Sequence, residues 1–178
     1  MSRWKPGDHR ADRAAMLRVN QAGEYGATRI YAGQLAVMRR NSPGSRLVAR
    51  MAGQEERHLK RFNAMMAERR VRPTLLQPIW NVAGFALGAA TALMSEEAAL
   101  ACTEAVETEI DAHYGSQLDE LTDQDPELAE AIADFRADEV EHRDIASRAG
   151  AANAVGYPLL TAAIRAGCRV AIGLSKRS

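Results

Sequence analysis

The most restrictive feature of this 178-residue sequence is a duplicated array of glutamate and histidine. The stretches QEERHLKR and DEVEHRDI each set a glutamate three positions before a histidine, as Glu55 with His58 and Glu139 with His142. A lone glutamate precedes each copy at nearly constant distance: 31 positions separate Glu24 from Glu55, and 32 separate Glu107 from Glu139. On an α-helix each residue advances about 100°, so residues three apart lie about 60° round and one turn along, close enough to serve one ion. Glu141 falls nearly opposite Glu139 and is expected to face water, and Glu56 lies about 200° from His58, which makes it the poorer donor. A single copy reads as well as a solvated helix surface. The duplication argues otherwise, because carboxylates turned into a core are very costly unless a metal or a partner compensates them.

The rest of the chain reads as helix throughout, rich in Ala, Leu, Met, Arg and Glu, with Pro and Gly confined to a few points. A first helix is expected from about Asp8 to Arg40. It ends at NSPGS, where Ser42 caps a second helix with Pro43 in its first turn. That helix runs to about Val71, and RPTLLQPIWN then interrupts the pattern with Pro73 and Pro78. A third helix begins near Ile79. Ser95 caps a fourth from Glu96 to about Leu121, and Asp125 with Pro126 starts a fifth that ends near Gly150. A last helix covers Pro158 to Leu174.

With 47% hydrophobic residues, the chain can bury a sizeable core as a single domain over residues 1–178. Formal net charge is zero, with no tract of like charges, so no nucleic-acid partner is expected. Cys102 and Cys168 form no CxxC pair and read as packing residues in a reducing compartment. The polar start MSRWKPGDHRADR lacks the apolar core of a signal peptide, so the protein is expected to be made and kept in the cytosol.

Two halves, each a helix with one glutamate followed by a helix with Glu-x-x-His, reproduce the ligand set of ferritin-like di-iron and di-manganese bundles. The fold expected is therefore all-α: a ferritin-like four-helix bundle with an additional apolar crossover helix and a C-terminal amphipathic helix. Candidate ligands are Glu24, Glu55, His58, Glu107, Glu139 and His142. Carboxylates and imidazoles suit two iron ions, and manganese is compatible as well. By spacing alone Glu104 and Glu109 compete with Glu107; the repeated interval favours Glu107. Tyr114, seven after Glu107, mirrors Tyr31, seven after Glu24, which suggests matching core stripes. His113 lies off that face. Asp144, two after His142, either orients a ligand or is solvated.

Residues 73–95 contain no Asp, Glu, Lys or Arg. Pro73, Gln77, Pro78 and Asn81 leave fewer than the roughly 20 continuous apolar residues that a crossing helix needs, so a helix lying in one leaflet is favoured over a span. Gly84 and Gly88 permit close helix approach. In the last helix Leu160, Ile164, Ala171 and Leu174 form an apolar stripe, and Arg165, Arg169, Lys176 and Arg177 are placed to meet anionic headgroups. The competing reading packs both segments together as a dimer interface.

The stretches RVNQAGEYGATRIYAGQ, QEERHLKRFN, RPTLLQPIWNVAGFALGAATAL, ACTEAVETEIDAHY, DEVEHRDI and AGCRVAI together resemble the demethoxyubiquinone hydroxylases of ubiquinone biosynthesis, the Coq7 family, over nearly the whole chain. The resemblance implies two iron ions on the same six residues, and places Tyr114, of a family His-Tyr pair matching His113 and Tyr114, beside the metal or the substrate. It implies O2-dependent hydroxylation of a polyprenyl benzoquinol, with NADH as the electron source. No strand followed by G-x-G-x-x-G appears, so no resident nicotinamide domain is expected. It further implies peripheral attachment to the cytoplasmic face of the inner (plasma) membrane, and a homo-oligomer or a lipid-binding accessory protein as partner. Two rival functions are a ferritin-like ferroxidase or iron-handling protein and a non-catalytic membrane scaffold.

Overall fold

The structure, a computed structural model, describes residues 11–121 and 124–177. Among these it contains six α-helices, α1 (Arg13–Val37), α2 (Pro43–Glu68), α3 (Gln77–Met94), α4 (Glu96–Leu121), α5 (Pro126–Arg148) and α6 (Tyr157–Ser175), and no strand. The expected helix start at Asp8 lies outside the described residues. The bundle consists of α1, α2, α4 and α5, while α3 lies along α1 and α6 along α4. Each half of the chain is thus a set of three helices whose third returns along the first.

Side-chain caps set the boundaries as the sequence indicates. Ser42 accepts from Ser45 N at 3.1 Å, Ser95 from Ala98 N at 3.0 Å and Asp125 from Leu128 N at 3.2 Å, each contributing about 1 kcal/mol. Helix α2 stops at Glu68 rather than Val71, because Arg70 takes a left-handed conformation (φ 55°). Val71 N then bonds back to Met66 O, and Arg70 N to Ala67 O, which satisfies the last carbonyls. Helix α3 starts two residues earlier than Ile79. Pro78 sits in its first turn, where no backbone donor is required. The two halves are joined at one end by Glu96, which accepts from Ser42 Oγ at 2.5 Å and from Gly44 N at 2.7 Å.

The core between the helices is built from Leu17, Phe62, Met65, Tyr114, Leu121, Leu128, Ile132 and Phe135, all buried. Helix α3 approaches α1 nearly backbone to backbone. A Cβ on Gly88 would lie 1.9 Å from Ile30 O, and one on Gly33 would lie 2.1 Å from Phe85 O. The small-residue pair Gly84 and Gly88 therefore serves α1, whose Gly33 answers it. The other side of α3 faces outward, with Ile79, Val82, Leu93 and Met94 all more than half exposed, as is Leu75 just before the helix. Val155 and, from α6, Leu159, Val170 and Leu174 are exposed too. Among the described residues, no helix is long and apolar enough to cross a membrane.

On α6, Ile164 is buried and Leu160 and Cys168 pack against the core. Arg165 and Arg169 are both paired to α4, while their side chains stay 42% and 61% exposed. Arg165 Nε donates to Glu109 Oε1 at 2.6 Å and Arg169 Nε to Glu109 Oε2 at 2.9 Å. The reason is electrostatic: Glu109 on α4 is buried, and a buried carboxylate demands paired cations. Lys176 and Arg177 remain exposed. Cys102 is buried and Cys168 half-buried, and burial pushes both thiols up to about 12, so both are inert packing groups.

Candidate metal centre

Helical phase brings the duplicated array to one place. Glu24 on α1, Glu55 and His58 on α2, Glu107 on α4, and Glu139 and His142 on α5 are all buried to within 1% of complete. Their donor atoms form two groups, Glu24/Glu55/His58/Glu139 and Glu55/Glu107/Glu139/His142, each with its atoms within 4.8 Å of one another. Glu55 and Glu139 belong to both groups, a division of labour that the sequence reading did not distinguish. His58 Nδ1 lies 3.2 Å from Glu139 Oε1 and 3.4 Å from Glu24 Oε2. His142 Nδ1 lies 3.1 Å from Glu55 Oε1 and 3.4 Å from Glu139 Oε2. The rivals to Glu107 are occupied elsewhere: Glu104 accepts from Tyr157 Oη at 2.9 Å, and Glu109 holds the α6 arginines. Glu141 faces solvent as expected, and Glu56, the poorer donor by its angle, is exposed too.

Outside these six residues lies a ring of oriented partners. Each histidine turns Nδ1 inward and uses Nε2 outward, His58 to Asp138 Oδ2 at 2.9 Å and His142 to Gln54 Oε1 at 3.0 Å. An acceptor on Nε2 fixes the tautomer that leaves Nδ1 free to bind an ion. Tyr31 Oη donates to Glu107 Oε1 at 2.5 Å, and Tyr114 Oη donates to Glu24 Oε1. Asp144, the carboxylate considered for such a role, is instead an exposed partner of Arg143 at 3.1 Å. Two residues on from His142, it lies about 200° around the helix from it. The signal that could have found the true partners is positional: Gln54 and Asp138 each stand immediately before a Glu-x-x-His glutamate. His113 stands apart from the cluster and bonds Gln117 Nε2 through its own Nε2 at 2.9 Å.

The donors fit a pair of cations. Glu24 Oε2, both oxygens of Glu55, His58 Nδ1, Glu107 Oε2, both oxygens of Glu139 and His142 Nδ1 are buried and make no hydrogen bond. Eight unpartnered polar atoms in one core would be ruinous for folding unless positive charge meets them. The titration pattern gives the same account. Burial, then repulsion from Glu139 and further carboxylates, pushes Glu55 and Glu107 well above the usual carboxylate range. Burial opposes the charged form of His58, yet the nearby Glu139 and Glu24 carboxylates outweigh it and lift the ring to about 10. Protons and divalent ions therefore compete for the same atoms, and ion affinity rises with pH. Hard carboxylate oxygens with one imidazole per position match iron or manganese.

A four-helix bundle that gathers four buried glutamates and two buried histidines into two adjoining groups has the architecture of the ferritin-like di-metal carboxylate proteins and could hold a pair of metal ions. Residues 11–175 match the family described as ubiquinone biosynthesis protein COQ7. The chain is 53% identical over 161 residues to the 3-demethoxyubiquinol 3-hydroxylase of Rhodospirillum rubrum, covering 90% of this chain and 76% of that one. It is 52% identical over 166 residues to the human NADPH-dependent 3-demethoxyubiquinone 3-hydroxylase, mitochondrial, covering 91% and 76%. To the 5-demethoxyubiquinone hydroxylase, mitochondrial, of Saccharomyces cerevisiae it is 43% identical over 178 residues, covering 91% and 76%. The chain belongs to the COQ7 family.

Proposed function

We propose that this protein hydroxylates one ring carbon of a demethoxyubiquinol, a polyprenylated methoxy-methyl-benzoquinol, using O2. One oxygen atom enters the ring C–H bond and the other leaves as water, which consumes two electrons and two protons. The observation that carries the reading is the set of eight buried, unpartnered donor atoms on Glu24, Glu55, His58, Glu107, Glu139 and His142, in a chain of the COQ7 family. Two iron ions bound there would supply the activation of dioxygen.

The chain's own residues do the holding. Glu55 and Glu139 reach both ion positions, and Glu24 with His58 and Glu107 with His142 complete one position each. Tyr114 is pushed far above the ordinary tyrosine range by burial and by Glu24, so it stays protonated and holds the Glu24 carboxylate in place as a hydrogen-bond donor. Electrons come from a reduced nicotinamide bound elsewhere. The resemblance implied NADH, while the human relative is named for NADPH, so both belong in the assay.

The apolar substrate tail is reached from the membrane surface. The exposed Leu75, Ile79, Val82, Leu159 and Val170, with Lys176 and Arg177 near α6's end, form the face proposed to lie on the cytoplasmic side of the inner membrane. Ferritin-type iron handling would leave this face without purpose, and a scaffold would leave the six ligands without one. The deciding experiment supplies the purified protein with reduced precursor, oxygen and NADH or NADPH. Mass spectrometry is expected to show one added oxygen, derived from 18O2; an unaltered precursor in iron-loaded, reduced samples overturns the proposal.

A further inference from the structure

Each histidine of the centre is held from outside by the helix facing it, and the two holders differ in charge. Asp138 on α5 accepts His58 of α2, and Gln54 on α2 accepts His142 of α5. The holders are related by the same duplication that relates the ligands, since each stands one residue before a shared glutamate. The duplication breaks here: a carboxylate occupies one copy and an amide the other. Asp138 also accepts from Arg57 Nη2 at 2.7 Å, but the Arg57 side chain is 61% exposed, so solvent screens that cation more than it screens the buried imidazole. The His58 ring is further fixed by stacking on Phe135, with centroids 4.1 Å apart.

A carboxylate on the outer N–H raises the basicity of the ligating nitrogen more than a neutral amide does. We propose that Asp138 makes the two metal positions unequal, so that the position built by Glu24, Glu55, His58 and Glu139 binds a divalent cation more tightly and fills first. Asp138 acts through His58 and is a positioning residue. The inference rests on the metal-centre reading above. Because both positions share Glu55 and Glu139, a first ion weakens the second wherever it sits, so the order of filling is the quantity to measure.

The test uses the full chain stripped of metal and titrated with Fe(II) without oxygen, followed by calorimetry, together with Mössbauer spectra at one equivalent of 57Fe(II). The wild type is expected to show one dominant quadrupole doublet. Asp138→Asn keeps an oxygen for His58 to bond but removes the charge. It should weaken the first binding step about tenfold and split the iron between two doublets. Gln54→Glu adds charge at the other position and should also give two doublets, without weakening the first step, so it decides the matter if Asp138→Asn does not fold. Two equal doublets in the wild type, or a distribution that neither variant alters, overturns the inference while leaving the metal centre intact. Failure to bind any Fe(II) overturns the metal centre itself.

Discussion

Tyr31 shares a helix with Glu24 yet donates its hydroxyl to Glu107 on α4, while Tyr114, which shares a helix with Glu107, donates to Glu24 on α1. The bonds cross, so each ligand-bearing helix is locked by the tyrosine of the other. Burial, then the accepting carboxylate itself, pushes both hydroxyls well above the ordinary range, which keeps them donors at any working pH. Tyr31→Phe leaves Glu107 with one donor fewer at a cost of about 1.5–3 kcal/mol. Thermal denaturation should record a fall in Tm of roughly 3–10 °C. A variant as stable as the wild type would show that the bond contributes nothing.

The shared glutamates predict unequal consequences for ligand removal. Glu139 belongs to both candidate donor groups and Glu107 to one. Elemental analysis after iron loading should therefore find Glu139→Ala nearly devoid of metal and Glu107→Ala retaining about half the wild-type content. Equal losses in the two variants would contradict the assignment.

His113 predicts an acid limb of stability. Burial, and then Lys176, lowers it from an ordinary 6.5 to about 4. In the fold it is the neutral ring that accepts from Gln117 Nε2, and protonation would end that bond. A depressed histidine contributes stability that is present above pH 6.5 and is lost as pH falls through about 4. Denaturant midpoints measured from pH 7 to 4 should decline less steeply in His113→Gln than in the wild type; parallel curves would refute the assignment.

The glycines of the first half predict opposite signs for one substitution. Gly88→Ala drives a Cβ into Ile30 O, 1.9 Å away, and must part α3 from α1. A loss of about 1–3 kcal/mol or more is expected. Gly53→Ala meets nothing within 4 Å on the exposed side of α2 and should gain about 0.5–1 kcal/mol through helix propensity. Chemical denaturation of the two variants measures both.

Much of this arrangement was legible in the sequence because it follows from local rules. Caps at Ser42, Ser95 and Asp125 need only short-range hydrogen bonds, and the spacing of Glu55 with His58 and Glu139 with His142 needs only helical phase. What escaped depends on how helices meet. No periodicity reveals that Tyr31 reaches across to Glu107, that Asp138 serves a histidine 80 positions away, or that Glu109 pairs with Arg165 and Arg169 of α6. Asp144 was considered for sequence proximity to His142, yet proximity along a helix places it on another side.

Each candidate donor group takes three residues from one half of the chain and one from the other: Glu139 completes the set of Glu24, Glu55 and His58, and Glu55 completes that of Glu107, Glu139 and His142. Neither half alone supplies all four residues of either group. The two halves are bound to each other through this exchange of one carboxylate each way, so parting α2 from α5 would dismantle both groups at once.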